Sequence, residues 1–282
     1  LREGAGDAMV RGVKKPFRSS PRASVAFCAA LVPGLACFVP GAALALGGQA
    51  ASPDGGLTTH LVMVLSKQGN KHGACTGTIL TPDIILTAAH CVAGNRQVAV
   101  AYKEDGSHVL QRVMARAINP GFSPKARVSI DLALIRLDSP LPARFRPMVL
   151  ESDDSGHQVG VRRTIAGFGL AADRDEASAG VLRSATVTVL PRLYPRFLRL
   201  GYSLDADLGD FAVCTGDSGG PVLNGSTVVG VVYGREKFGN AQSCGTTAQA
   251  VRIAPQRAWI NQVVRGWGGR NLAGGRPLRL SD

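Results

Sequence analysis

Short apolar segments punctuated by Gly, Pro, Asn and Asp recur from about residue 61 to residue 253. Segments this short predict β-strands rather than helices, which need about ten residues of 3.6-residue period to show themselves. Predicted strands cover 61–65, 76–80, 84–87, 98–102, 109–117 and 132–137. After a polar, turn-rich connection at 150–156 they resume at 159–167, 182–189, 221–223, 228–233 and 246–253. Segment 132–137 (Leu-Ala-Leu-Ile-Arg-Leu) alternates little, which predicts a strand buried on both faces. Helical periodicity appears once, over 255–264, with Pro255 suited to a first turn. The pattern predicts an all-β protein of two comparable halves, 46–153 and 154–267. The helix closes the second half, and a flexible Gly- and Arg-rich tail spans 268–282.

The first 45 residues follow different rules. Arg11, Lys14, Lys15, Arg18 and Arg22 form a basic stretch with no acid among them. An apolar run to Leu44 follows, interrupted by Pro33 and Pro40, and it ends in Ala43-Leu44-Ala45. A basic segment, an apolar segment and small residues at −3 and −1 predict a secretory signal peptide over 1–45. No later segment is apolar for long enough to span a bilayer, so no membrane span is expected once the signal is removed.

Export changes the cysteine count. Losing the leader removes Cys28 and Cys37 and leaves Cys75, Cys91, Cys214 and Cys244. An even number in an exported chain predicts two disulfides, and four cysteines allow three pairings. No Cys-x-x-Cys spacing points to structural zinc, and no metal or cofactor is expected. His60, His72, His108 and His157 are scattered and read as exposed loop or strand residues. The formal charge is +12; six basic and two acidic residues leave with the leader, giving +8 for the remainder. Such a surface allows attraction to anionic surfaces, though the scatter of Arg points to no specific nucleic acid.

Three local motifs carry candidate chemistry. Thr87-Ala88-Ala89-His90-Cys91 sets a histidine after an apolar strand among small residues. Asp131 opens the buried segment 132–137. Gly216-Asp217-Ser218-Gly219-Gly220-Pro221 offers a serine hydroxyl on a glycine-rich turn. A serine hydroxyl needs a base to become a nucleophile, and the base needs a group to orient it. His90 and Asp131 fit those roles for Ser218. The N–H groups of Gly216 and Ser218, two residues apart on one turn, fit a site for the oxyanion.

On these three motifs, in the order His, Asp, Ser, the chain resembles the trypsin/chymotrypsin-like serine endopeptidases from about Leu46 to Trp267. The resemblance implies two packed antiparallel Greek-key β-barrels with the active site between them and a C-terminal α-helix. It implies peptide hydrolysis through His90, Asp131 and Ser218 by way of an acyl-enzyme, with peptides or proteins as substrates. It also implies the pairings Cys75–Cys91 and Cys214–Cys244. A secreted or periplasmic monomer is expected.

Three positions depart from the family pattern. Asp217 is expected to be buried against a cation, which in the family is a freed amino terminus; here the junction reads Ala45-Leu46-Gly47-Gly48. Signal cleavage itself is expected to make that terminus. At the base of the primary pocket stand Ala212 and Val213, with no acid to select Arg or Lys, so an apolar pocket is expected. The strand facing the substrate reads Val231-Val232-Tyr233-Gly234 in place of Ser-Trp-Gly, with Tyr233 and Gly234 expected at the pocket wall. That last change keeps a second reading in view, a catalytically weak or silent homologue acting as a basic binding protein.

Overall fold

The computed structural model describes residues 56–268 except 127, 155, 193, 202–212 and 237–242. The signal segment, the expected terminus at Leu46, Ala212 and the tail beyond Gly268 lie outside the described residues. The first half contains β1 (Leu61–Gln68), β2 (Lys71–Thr81) and β3 (Ile84–Thr87), then a one-turn helix α1 (Ala89–Val92). It continues with β4 (Gln97–Glu104), β5 (Ser107–Ile118) and β6 (Ala133–Leu137). These strands close into a barrel in the order β1-β2-β3-β6-β5-β4, with antiparallel pairing throughout.

The second half begins with β7 (Val149–Leu150), which runs parallel to a later strand of the second sheet, a little ahead of the boundary expected at 153. It continues with β8 (Arg162–Gly167), β9 (Arg183–Leu190), β10 (Phe197–Gly201) and β11 (Val213–Cys214). The last strands are β12 (Pro221–Asn224), β13 (Thr227–Glu236), β14 (Cys244–Gly245) and β15 (Thr247–Arg252), followed by α2 (Arg257–Gly266). Its sheet runs β12-β8-β9-β10-β15-β13-β7, and β12 also pairs with β13, which closes the second barrel. A separate ribbon joins β11 to β14.

Two-sided burial explains the unbroken apolar runs. On β3, Ile85 enters the core of the first barrel while Ile84 and Leu86 face the other way. On β6, Ala133, Ile135 and Leu137 point inward and Leu134 outward. The outward set meets Ala166, Phe197, Leu223, Val231 and Val251 of the second half, so the barrels share one apolar interface. The second barrel's own core is built from Val187, Val189, Leu200, Val222 and Val229 among others. Helix α2 lays Ile260 and Val264, four residues apart, on the same interface.

Two histidines depart from the expected exposure. His60 is buried, with Nδ1 2.6 Å from the Arg146 carbonyl, and burial lowers its pKa. His157 is buried as well, its Nε2 3.0 Å from Glu151 Oε2 and 3.6 Å from Asp154 Oδ1. Arg252, buried on β15, pairs with Asp154, so this corner holds two carboxylates, an arginine and an imidazole.

Candidate active site

Helix α1 is a single turn that carries His90 out of β3. Ala88 and Ala89 are fully buried, and their small size leaves room for the ring. Asp131 stands just before β6 and is 7% exposed. One carboxylate oxygen accepts the main-chain N–H of His90 at 2.8 Å, and the other lies 2.7 Å from Nδ1. An ionised carboxylate only accepts, so the ring proton belongs on Nδ1 and the lone pair on Nε2. The His90 side chain is 40% exposed, which leaves Nε2 within reach of a substrate.

Ser218 sits on the turn between β11 and β12 and is partly exposed. The turn is bound on both sides. The Ser218 carbonyl accepts the Thr76 N–H from β2 at 2.8 Å, and the Gly219 N–H donates to the Val232 carbonyl on β13 at 2.6 Å. Sγ of Cys91 lies 3.6 Å from His90 Nε2 and 4.0 Å from the Ser218 carbonyl, so the histidine and the serine turn flank one sulfur. Disulfides join Cys75 to Cys91 and Cys214 to Cys244. The first ties α1 to β2, and the second ties the serine turn to β14.

Gly216 has φ of +105°, a conformation that glycine adopts freely and other residues rarely do. A Cβ there would also come within 2.7 Å of the Gly169 Cα. Neither the Gly216 N–H nor the Ser218 N–H meets an acceptor among the described residues. Two unengaged N–H groups beside a serine are what an oxyanion needs.

Asp217 is 2% exposed. Its oxygens accept the N–H of Cys214 at 2.8 Å and of Gly169 at 3.0 Å. No cation forms an ion pair with it among the described residues. Burial pushes its carboxyl up to about 7, against the opposing pull of those two hydrogen bonds and of the Arg183 and Arg235 charges.

The residues expected at the primary pocket divide. Val213 is buried in the core of the second barrel, in one cluster with Val232, Ala248 and Ala250. Tyr233 does not join them. It falls at a bulge where the register of β13 on β15 shifts between Val232 and Gly234, and its ring packs on Phe197 at 5.5 Å. There it borders a cavity of about 400 Å³ with Tyr194, Arg199, Glu236 and Gln249. Burial first, then the Asp131 and Glu236 carboxylates, push its phenol up to about 12. Gly234 follows the bulge opposite Gln249.

A two-barrel fold with a serine turn and a carboxylate-held histidine at the junction defines a class of hydrolase. The chain matches the Trypsin family model over residues 46–260 and belongs to that family of serine endopeptidases. It is 32% identical to human granzyme M over 215 residues, covering 70% of this chain and 82% of that protein. It is 31% identical to brachyurin of Leptuca pugilator over 183 residues, covering 60% of this chain and 77% of that protein. Among solved structures, mouse neuropsin aligns at a TM-score of 0.59 and 20% identity over 74% of this chain and 96% of that one, a likeness of fold.

Proposed function

We propose that this serine endopeptidase cleaves peptide bonds with Ser218 as nucleophile, His90 as base and then acid, and Asp131 as the group that orients the ring. The double grip of Asp131 on His90 carries the reading, because it sets the ring proton on Nδ1 and leaves the lone pair on Nε2 to act as a base. Ser218 Oγ attacks the scissile carbonyl carbon as its proton passes to Nε2. The carbonyl oxygen takes the electron pair and is held by the Gly216 and Ser218 N–H groups. The pair returns, the C–N bond breaks, and Nε2–H protonates the leaving amine. Water, deprotonated in turn by His90, then releases the acyl group from Ser218.

The absence of an acid at Ala212 and Val213 supports a preference for uncharged side chains at the primary position. The chain is exported, and signal cleavage frees an amino terminus near Leu46 that pairs with Asp217. An uncompensated buried carboxylate is costly and supports that pairing. No helix among the described residues is long and apolar enough to cross a membrane.

The test is fluorophosphonate labelling of the exported protein, with peptide substrates carrying Leu, Met, Phe or Arg at the primary position. Labelling that disappears in Ser218→Ala, with apolar substrates cleaved faster than the Arg substrate, is expected. Absence of labelling in correctly processed protein would point to a silent binding homologue.

A further inference from the structure

Thr76 occupies the centre of β2, and its neighbour Cys75 belongs to the core of the first barrel. Alternation along a strand therefore turns the Thr76 side chain outward, toward the second barrel. The residue is 0% exposed, and its polar groups reach three different elements. Its hydroxyl donates to the Gly216 carbonyl at 2.9 Å and accepts the Phe168 N–H at 3.0 Å. Its N–H donates to the Ser218 carbonyl at 2.8 Å, and its carbonyl accepts the Thr87 hydroxyl, also at 2.8 Å.

The hydroxyl contact differs in kind from the main-chain ones, because its loss is set by one side chain. The Gly216–Asp217 peptide is gripped at both ends, its carbonyl by Thr76 Oγ1 and its N–H by the Cys214 carbonyl at 3.1 Å. Gly216 carries φ of +105° and has no side chain to resist rotation. A glycine hinge with one peptide free samples orientations that turn its own N–H away from the serine. The peptide that carries the Gly216 N–H is held through its Thr215 carbonyl, which accepts the Leu170 N–H at 3.1 Å, and the clamp on the following peptide removes the remaining freedom about the glycine.

We infer that Thr76 is a positioning residue for the oxyanion site, its hydroxyl holding the Gly216 peptide so that the Gly216 N–H stays aimed at the reacting carbonyl. The inference rests on the proposed roles of Ser218 and Gly216. Removing the hydroxyl leaves both the Gly216 carbonyl and the Phe168 N–H without their partner, and the hinge gains freedom.

Thr76→Ser, Thr76→Ala and Thr76→Val separate this role from packing. Each is compared with the parent protein for kcat, KM, affinity for a peptide aldehyde, and thermal melting. The aldehyde is informative because its hemiacetal oxygen occupies the oxyanion site. Losing an oxyanion donor outright typically costs about 10²–10³ in turnover, so misaiming one is expected to cost about tenfold or more. Thr76→Ala and Thr76→Val are expected to lower kcat by that factor and weaken the aldehyde equally, with KM nearly unchanged. Thr76→Ser is expected to retain parental values within about threefold.

Parental kcat and aldehyde affinity in a folded Thr76→Ala protein would overturn the inference. So would a Thr76→Ser protein as impaired as Thr76→Ala, or failure of both Ala and Val proteins to fold, which assigns Thr76 to structure alone. A parent protein that neither turns over nor takes up fluorophosphonate fails at the triad reading instead and carries this inference down with it.

Discussion

Asp131 meets His90 twice, through the main chain and through the ring, and only the second contact decides the tautomer. Asp131→Asn keeps the size and an acceptor for the main-chain N–H but no longer requires the proton on Nδ1. Its kcat is expected to fall by a factor on the order of 10⁴ with little change in melting temperature, measured by steady-state kinetics and calorimetry. Asp217 predicts the opposite balance of stability and chemistry. Its folded pKa of about 7 lies above the ordinary 3.8, so the folded chain binds that proton more tightly than the unfolded one. The stability it contributes is present in acid and lost as pH rises from about 4 through about 7. That slope is expected in a form whose terminus is blocked by an extension ahead of Leu46, and Asp217→Asn is expected to flatten it. Protein starting at Leu46 is expected to show a shallower slope; equal slopes in the two forms would refute the pairing of that terminus with Asp217.

At the scale of elements, the one-turn α1 is too short to hold itself, and its position depends on β3 below it and on the Cys75–Cys91 link to β2. Replacing both cysteines by serine opens a loop of sequence separation 16 and is expected to remove about 3 kcal/mol of stability, read by denaturant unfolding. Activity is expected to fall further than stability alone accounts for, because His90 travels with α1. The strands around this site were legible because their apolar runs are bounded by turns: 84–87 coincides with β3, and 132–137 matches β6 to within one residue. The strand β10 was not legible. Phe-Leu-Arg-Leu-Gly lies just beyond an arginine- and proline-rich stretch, and its strand character comes from pairing with β9 and β15 rather than from its own pattern. The bulge that turns Tyr233 toward Phe197 was equally hidden, since register belongs to two strands at once. The burial of His60 and His157 is not legible locally, because the Arg146 carbonyl and the Glu151 carboxylate that meet them are brought there by the fold. Thr76 looked like an ordinary strand residue; its hydroxyl acquires a task only when the second barrel arrives.

Across the whole molecule, one apolar interface carries residues of both barrels and of α2. Leu86 is fully buried in it. Leu86→Ala is expected to cost about 2–5 kcal/mol and to lower the melting temperature of the entire protein in one transition, seen in calorimetry. Two separate transitions would mean that the barrels unfold independently. The serine turn shows how closely the halves are fitted. A Cβ on Gly219 would collide with the carbonyl of Thr76 and the hydroxyl of Thr87, both from the first barrel. The groove that receives the serine is thus cast by the half of the chain that does not contain it. A graft of this second barrel onto a related first barrel inherits the nucleophile without its mould. Recombined enzymes made from this chain therefore need their crossover chosen so that Thr76, Thr87 and Gly219 descend from the same parent.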